Sequence, residues 1–146
     1  MKQIFINLPV SDLDKSMQFY QALGFLANPL FTDENQKCMV WSDSIYVMLQ
    51  SRKFSNLYIE KQKVDIRNYQ IPSFTLHVAS IEMVNKMMAN GLKSGGVEPI
   101  PSINEGFMFL RSIEDIECGI SAQGTWHHIW IKSCKECNDR KCSGEC

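Results

Sequence analysis

Apolar residues crowd the start of the chain at Ile4, Phe5, Ile6, Leu8 and Val10, with Asn7 and Pro9 between them. This β-branched and aromatic content predicts a strand over residues 3–10 with at least one buried face. Pro9 has no amide to donate, so this end of the strand should lie at a sheet edge or leave the sheet. Ser11 or Asp12 then caps a helix, with Asp14 three places after Ser11 in a capping-box pattern. Leu13, Met17 and Tyr20 recur at i, i+4 and i+7 and give that helix an apolar stripe. Gly24 suits its left-handed stop. Three short strands follow at Phe25–Phe31, Cys38–Trp41 and Ile45–Leu49, separated by the polar turns Asp33-Glu34-Asn35 and Ser42-Asp43-Ser44. They read as an antiparallel meander. From Ser51 to Tyr69 the chain is polar with no clean period, a connector with one helical turn around Phe54 to Tyr58.

The pattern then restarts. One constant shift lays Leu8 on Leu76, Val10 on Val78, Asp12 on Ser80, Leu13 on Ile81 and Asp14 on Glu82. Phe74, Leu76 and Val78 alternate as a half-buried strand, and Ser80 caps a helix whose stripe is Ile81, Val84 and Met88. Gly91 and Gly95-Gly96 punctuate its end. Strands follow at Val97–Ile103 and Gly106–Ile113. Either Gly119 to Gln123 or Trp126 to Ile131 supplies the last one, and the aromatic and β-branched content favours the second. A unit used twice, each copy leaving an apolar face for the other to cover, predicts an α+β fold of two β-α-β-β-β modules. The expected domain is 1–132, with module one at 1–50, a connector at 51–72 and module two at 73–132; a tail occupies 133–146.

Composition narrows the partners more than the fold. At 146 residues, 45% hydrophobic and 21% charged, the chain can bury one ordinary core. A net charge of -1 without a basic run gives no argument for nucleic acid. No apolar run approaches the roughly 20 residues that cross a bilayer. Met1-Lys2-Gln3 enters a strand directly, so neither a signal peptide nor a location other than the cytoplasm is expected.

Cysteine is unevenly spread. Cys38 and Cys118 are isolated, whereas Cys134, Cys137, Cys142 and Cys146 crowd the C-terminal end. The first reading of that cluster is a polar tail with reduced thiols. The second is a structural zinc on its four thiolates, and the third is redox exchange. His127 and His128 point to opposite faces of a strand, so at most one could join a tail site. No Ser/His/Asp arrangement, phosphate-binding glycine loop or paired-carboxylate signature stands out.

The run Asn7-Leu8-Pro9-Val10-Ser11-Asp12-Leu13-Asp14-Lys15-Ser16, with Phe19-Tyr20 and Leu23-Gly24-Phe25, resembles the vicinal oxygen chelate superfamily. That superfamily holds glyoxalases, bleomycin-resistance proteins and extradiol dioxygenases, and the likeness is nearest to its small glyoxalase-like bacterial members. Phe31 to Asn35, Cys38-Met39-Val40, Gly106-Phe107-Met108, Arg111-Ser112 and Glu114-Asp115 support it. The resemblance implies a cupped mixed sheet with a ligand or metal on its concave face. It also implies a homodimer. Metal-dependent members place His or Glu on the first strand and near the end of the last strand of each module. The matching positions here are Asn7, Thr75 and the end Leu49-Gln50, with His77 two residues beyond on the same face. At the fourth position the glutamate falls near Ala122 or on Ile131, depending on which segment is aligned. Neutral Asn, Gln and Thr are weak partners for a hard divalent ion. The expectation is therefore a pocket lined by Asn7, Gln50, Thr75 and His77 that takes a small molecule with no metal or other cofactor in the sheet. The alternative is a lyase or dioxygenase of the same superfamily, its metal held by unusual groups such as His77. Whether the chain is an enzyme stays open at this point.

Overall fold

In a computed structural model, the chain is described at residues 2–55, 57, 73–116 and 126–134, with backbone only at 55, 116, 126–128 and 134. The first module runs β1 (Ile4–Val10), α1 (Leu13–Ala22), β2 (Leu26–Asn28), β3 (Gln36–Ser42) and β4 (Ile45–Ser51), followed by the short helix α2 (Arg52–Ser55). The second runs β5 (Ser73–His77), α3 (Ile81–Lys93), β6 (Ile103–Asn104), β7 (Met108–Ile116) and β8 (Trp126–Cys134). Each module closes its own four-stranded mixed sheet, in the orders β1-β4-β3-β2 and β5-β8-β7-β6. In each, the first and last strands pair in parallel while the others run antiparallel. Pro9 lies on β1, an edge strand, where its missing amide breaks no ladder.

The repeat holds at the helix caps. The Asp12 side chain accepts from the Lys15 amide, and at the matching place in the second module the Ser80 hydroxyl accepts from the Met83 amide. Gly24, at φ +99°, adopts the left-handed turn that follows α1. Gly91 has a different task from the helix stop expected of it. It lies inside α3, where an added Cβ would come within 2.5 Å of Ile113 and 2.8 Å of Leu23. Its bareness lets α3 approach both α1 and β7.

Two strands differ from expectation. The segment after Asn28 turns into a 3-10 helix at Pro29–Phe31 because the Asn28 side chain accepts from the Leu30 amide ahead of Pro29's fixed φ. The strand expected at Val97–Ile103 shrinks to a single bridge, Val97 to Glu114, and the two residues of β6. Pro99 and Pro101 cannot donate to a ladder between them. The last strand follows Trp126 as favoured, and runs on to Cys134. The other segment offered for it, Gly119–Gln123, lies outside the described residues, as does most of the connector.

One core joins the modules. Leu8, Val10, Phe19, Tyr20, Val47 and Leu49 of the first pack in the same cluster as Val84, Met88, Ile113, Ile129 and Ile131 of the second. A buried polar contact crosses the same seam: the Ser16 hydroxyl on α1 donates to the Asp115 carboxylate on β7 at 2.8 Å. Burial, then the nearby Asp115 charge, raise the Tyr20 phenol well above its ordinary pKa. No helix among the described residues is long and apolar enough to cross a membrane.

Candidate functional site

Strand alternation divides each sheet into two faces. Leu8, Val10, Val47 and Leu49, with Ile113, Ile129 and Ile131, turn to the helices and fill the core. The residues between them turn away, and this helix-free face carries all four predicted site residues. Pairing arranges it in rungs. In the first sheet Asn7 pairs with Met48, which pairs with Cys38; one rung along, Pro9, Gln50 and Gln36 follow. In the second sheet the matching rungs are Thr75, Trp130 and Ser112, then His77, Lys132 and Leu110.

Asn7 is exposed and Gln50 half-buried, and the structure brings these two together. The Gln50 amide donates to Asn7 Oδ1 at 3.4 Å. Beside them Phe5 and Tyr46 stack with ring centroids 4.6 Å apart, and the Tyr46 hydroxyl donates to the Asp43 carbonyl. Thr75 and His77 are exposed on β5, two residues apart on one face. They belong to the second sheet, so the four predicted residues fall into two pairs. A small pocket of ≈ 60 Å³ opens between Ile81 at the start of α3 and the β6–β7 turn, and contains none of them.

Of the two residues aligned with the fourth ligand position, Ala122 lies outside the described residues. Ile131 is fully buried in the core, so it cannot stand in a site on the other face. The residues of β8 that face away from the helices are Trp130 and Lys132, both half-buried. Lys132 occupies the place that Gln50 holds in the first module. The signal was available in His128-Ile129-Trp130-Ile131-Lys132, because two inward isoleucines in a strand force Trp130 and Lys132 outward. Met48, Cys38 and Ser112 lie on this face as well. Cys38 and Ser112 are fully buried although they lie on the helix-free face, and the Ser112 hydroxyl has no hydrogen-bond partner among the described residues. Burial pushes the Cys38 thiol up, away from a reactive thiolate.

The donor set does not fit a divalent metal. Asn7, Gln50 and Thr75 are neutral, and Lys132 is a cation that would repel one. His77 is the one imidazole among the described side chains. No three His, Cys, Asp or Glu side chains group closely enough to hold an ion among the described residues. Of the tail cysteines proposed for zinc, Cys134 ends β8 with only its backbone described, and Cys137, Cys142 and Cys146 lie outside the described residues.

Comparison with known proteins agrees with this architecture. Residues 2–42 match the bleomycin resistance protein-like N-terminal family. The fold matches many solved structures. By its fold and its first module, the chain is similar to proteins of the glyoxalase/bleomycin resistance type. A hypothetical protein, SA1046, from S. aureus is 21% identical, with 92% of this chain and 94% of that one covered and a TM-score of 0.71. A glyoxalase-related enzyme from Fulvimarina pelagi is 15% identical over 91% and 88% of the two chains, TM-score 0.69. A glyoxalase/bleomycin resistance protein/dioxygenase family enzyme from Burkholderia phytofirmans is 10% identical over 92% and 99%, TM-score 0.66. Among curated proteins no sequence matches. At Asn7, Thr75 and Gln50 the chain differs from the His or Glu ligands that the resemblance to metal-dependent proteins implies.

Proposed function

We propose that this chain is a vicinal oxygen chelate protein that binds a small molecule on the helix-free face of its sheets, without a divalent metal there. The observation that supports this most is the chemistry of the face. Amide, hydroxyl and ammonium groups stand at Asn7, Gln50, Thr75 and Lys132, beside exposed or half-buried aromatics at Phe5, Tyr46 and Trp130. Such a mixture orients a ligand by hydrogen bonds and covers it with apolar surface. A cytoplasmic homodimer goes with this reading.

A fragment screen on the isotope-labelled chain tests it, with amide NMR shifts read before and after exhaustive chelation. Shifts that cluster at Asn7, Gln50, Thr75 and His77 and survive chelation are expected. A stoichiometric metal that remains bound to residues 1–133 and is lost in His77→Ala would instead favour the lyase or dioxygenase reading. Sedimentation velocity reports the dimer.

A further inference from the structure

The helix-free face is chemically one-sided, and the second sheet holds its cation. Lys132 pairs with His77 on one side and Leu110 on the other, and the next rung holds Thr75, Trp130 and Ser112. Side chains on adjacent strands of one face stand about 5 Å apart, and successive rungs about 7 Å apart. These six residues therefore form one continuous patch.

Two observations say the patch is unfinished. Lys132 is half-buried, yet no carboxylate pairs with it among the described residues. The Ser112 hydroxyl, one rung away on the same face, is fully buried and has no hydrogen-bond partner among those residues. The buried Ser112 hydroxyl loses hydration on folding, and the half-buried Lys132 side chain brings an ammonium to the same face. Both are satisfied by the same kind of partner: an anionic oxygen that accepts from the ammonium and the hydroxyl together. The exposed Thr75 hydroxyl adds a third donor within the patch, and Trp130 supplies a flat apolar surface next to it. The other charged group facing this side is Glu114, one rung beyond Ser112, paired with His128 rather than with Lys132. The equivalent rungs of the first sheet, Asn7–Met48–Cys38 and Pro9–Gln50–Gln36, contain no charged residue.

We infer that the second sheet carries an anion subsite, in which Lys132, Ser112 and Thr75 take the carboxylate or phosphate of a small organic ligand whose apolar body rests on Trp130. This names a ligand class for the face proposed above and rests on that reading.

The test titrates the full chain with benzoate, phenyl phosphate and the neutral isostere benzamide, following amide shifts by NMR. Benzoate or phenyl phosphate is expected to bind at least tenfold tighter than benzamide and to shift Thr75, His77 and Lys132. The preference should weaken as salt rises. Whichever anion binds tighter identifies the headgroup. Lys132→Met, which keeps the apolar stem, should bring the anions down to benzamide's affinity, and Lys132→Arg should restore most of the difference. Ser112→Ala should weaken the anions several-fold and leave benzamide unchanged. Equal binding of all three probes, or anion binding that survives Lys132→Met, overturns the subsite while leaving a metal-free binding face intact. Silence of all three also overturns it, and the wider reading then depends on its own fragment screen.

Discussion

The two modules share a framework and differ in what they display on it. Their caps fall at matching places in the repeat, their sheets follow the same strand order, and their inward residues enter one core. Facing away from the helices, the first module shows an amide pair, Asn7 and Gln50, beside stacked Phe5 and Tyr46. The second shows His77, Lys132, Trp130 and a Ser112 hydroxyl with no partner among the described residues. Packing holds the inner faces alike because both must fill a common interior at crystal-like density. The outer faces carry no such constraint, so the chemistry of the two modules can diverge there.

The sharpest way to break this comparison is to ask whether the inner faces really form one core. Leu49 and Ile131 occupy matching inward places on β4 and β8, and both are fully buried. Leu49→Ala and Ile131→Ala should each cost about 2–5 kcal/mol. Each variant should still unfold in a single transition by chemical denaturation followed by circular dichroism and fluorescence. Two separated transitions in either one would show that the modules hold separate cores. Next in size is the polar contact across the seam. Ser16→Ala removes a donor from the buried Asp115 carboxylate and should cost about 1–3 kcal/mol, read from the same denaturation curves. An effect below about 0.5 kcal/mol would mean that the contact does not couple the modules.

How much of this is legible in the sequence follows from the same division. Caps, glycine stops and alternating strands depend on local chemistry, so Asp12, Ser80, Gly24 and the pattern of β1 and β5 can be read directly. Gly91 cannot, because its role depends on Ile113 and Leu23 arriving from elsewhere in the chain. The 3-10 turn at Pro29–Phe31 and the broken strand at Pro99 and Pro101 were open to proline chemistry, which the apolar residues around them masked. The makeup of the helix-free face is half legible. Asn7, Gln50, Thr75 and His77 do lie on the helix-free face, because strand period alone fixes which residues share a face. The β8 contribution depended on pairing register, and a shift of one residue separates buried Ile131 from outward Lys132.

A third difference lies on the helix side of the second module and can be sharpened by pH. Arg111 on β7 donates twice to Glu98, from Nε at 2.8 Å and from Nη2 at 2.6 Å, and once to Asn85 on α3. These hydrogen bonds hold the Glu98 carboxyl below its ordinary pKa. A depressed carboxyl stabilises the fold above its unfolded pKa, near 4.3, and that contribution disappears as pH falls through the folded value. Thermal unfolding should therefore show stability lost on acidification from pH 5 to below the folded pKa. Glu98→Gln should be less stable at pH 7 and flatten that acid slope. An unchanged slope would mean that the pair contributes nothing to stability.

The smallest expected effect discriminates best between the two outer faces. Cys38 and Ser112 occupy the same rung position in the two sheets, and both are fully buried. A thiol is at home there because sulfur loses little on leaving water. A hydroxyl without a partner among the described residues is not, and Ser112 carries that desolvation cost. Cys38→Ser should lower stability by about 1 kcal/mol, whereas Ser112→Ala should raise it by up to about 1 kcal/mol. Opposite signs at equivalent positions would show that the second module retains a destabilising group on its outer face. Retention of such a group is what a binding surface requires, since a donor already satisfied within the protein is not available to a ligand. If Ser112→Ala instead destabilises, the hydroxyl is satisfied within the folded chain and the asymmetry between the faces reduces to the charge of Lys132.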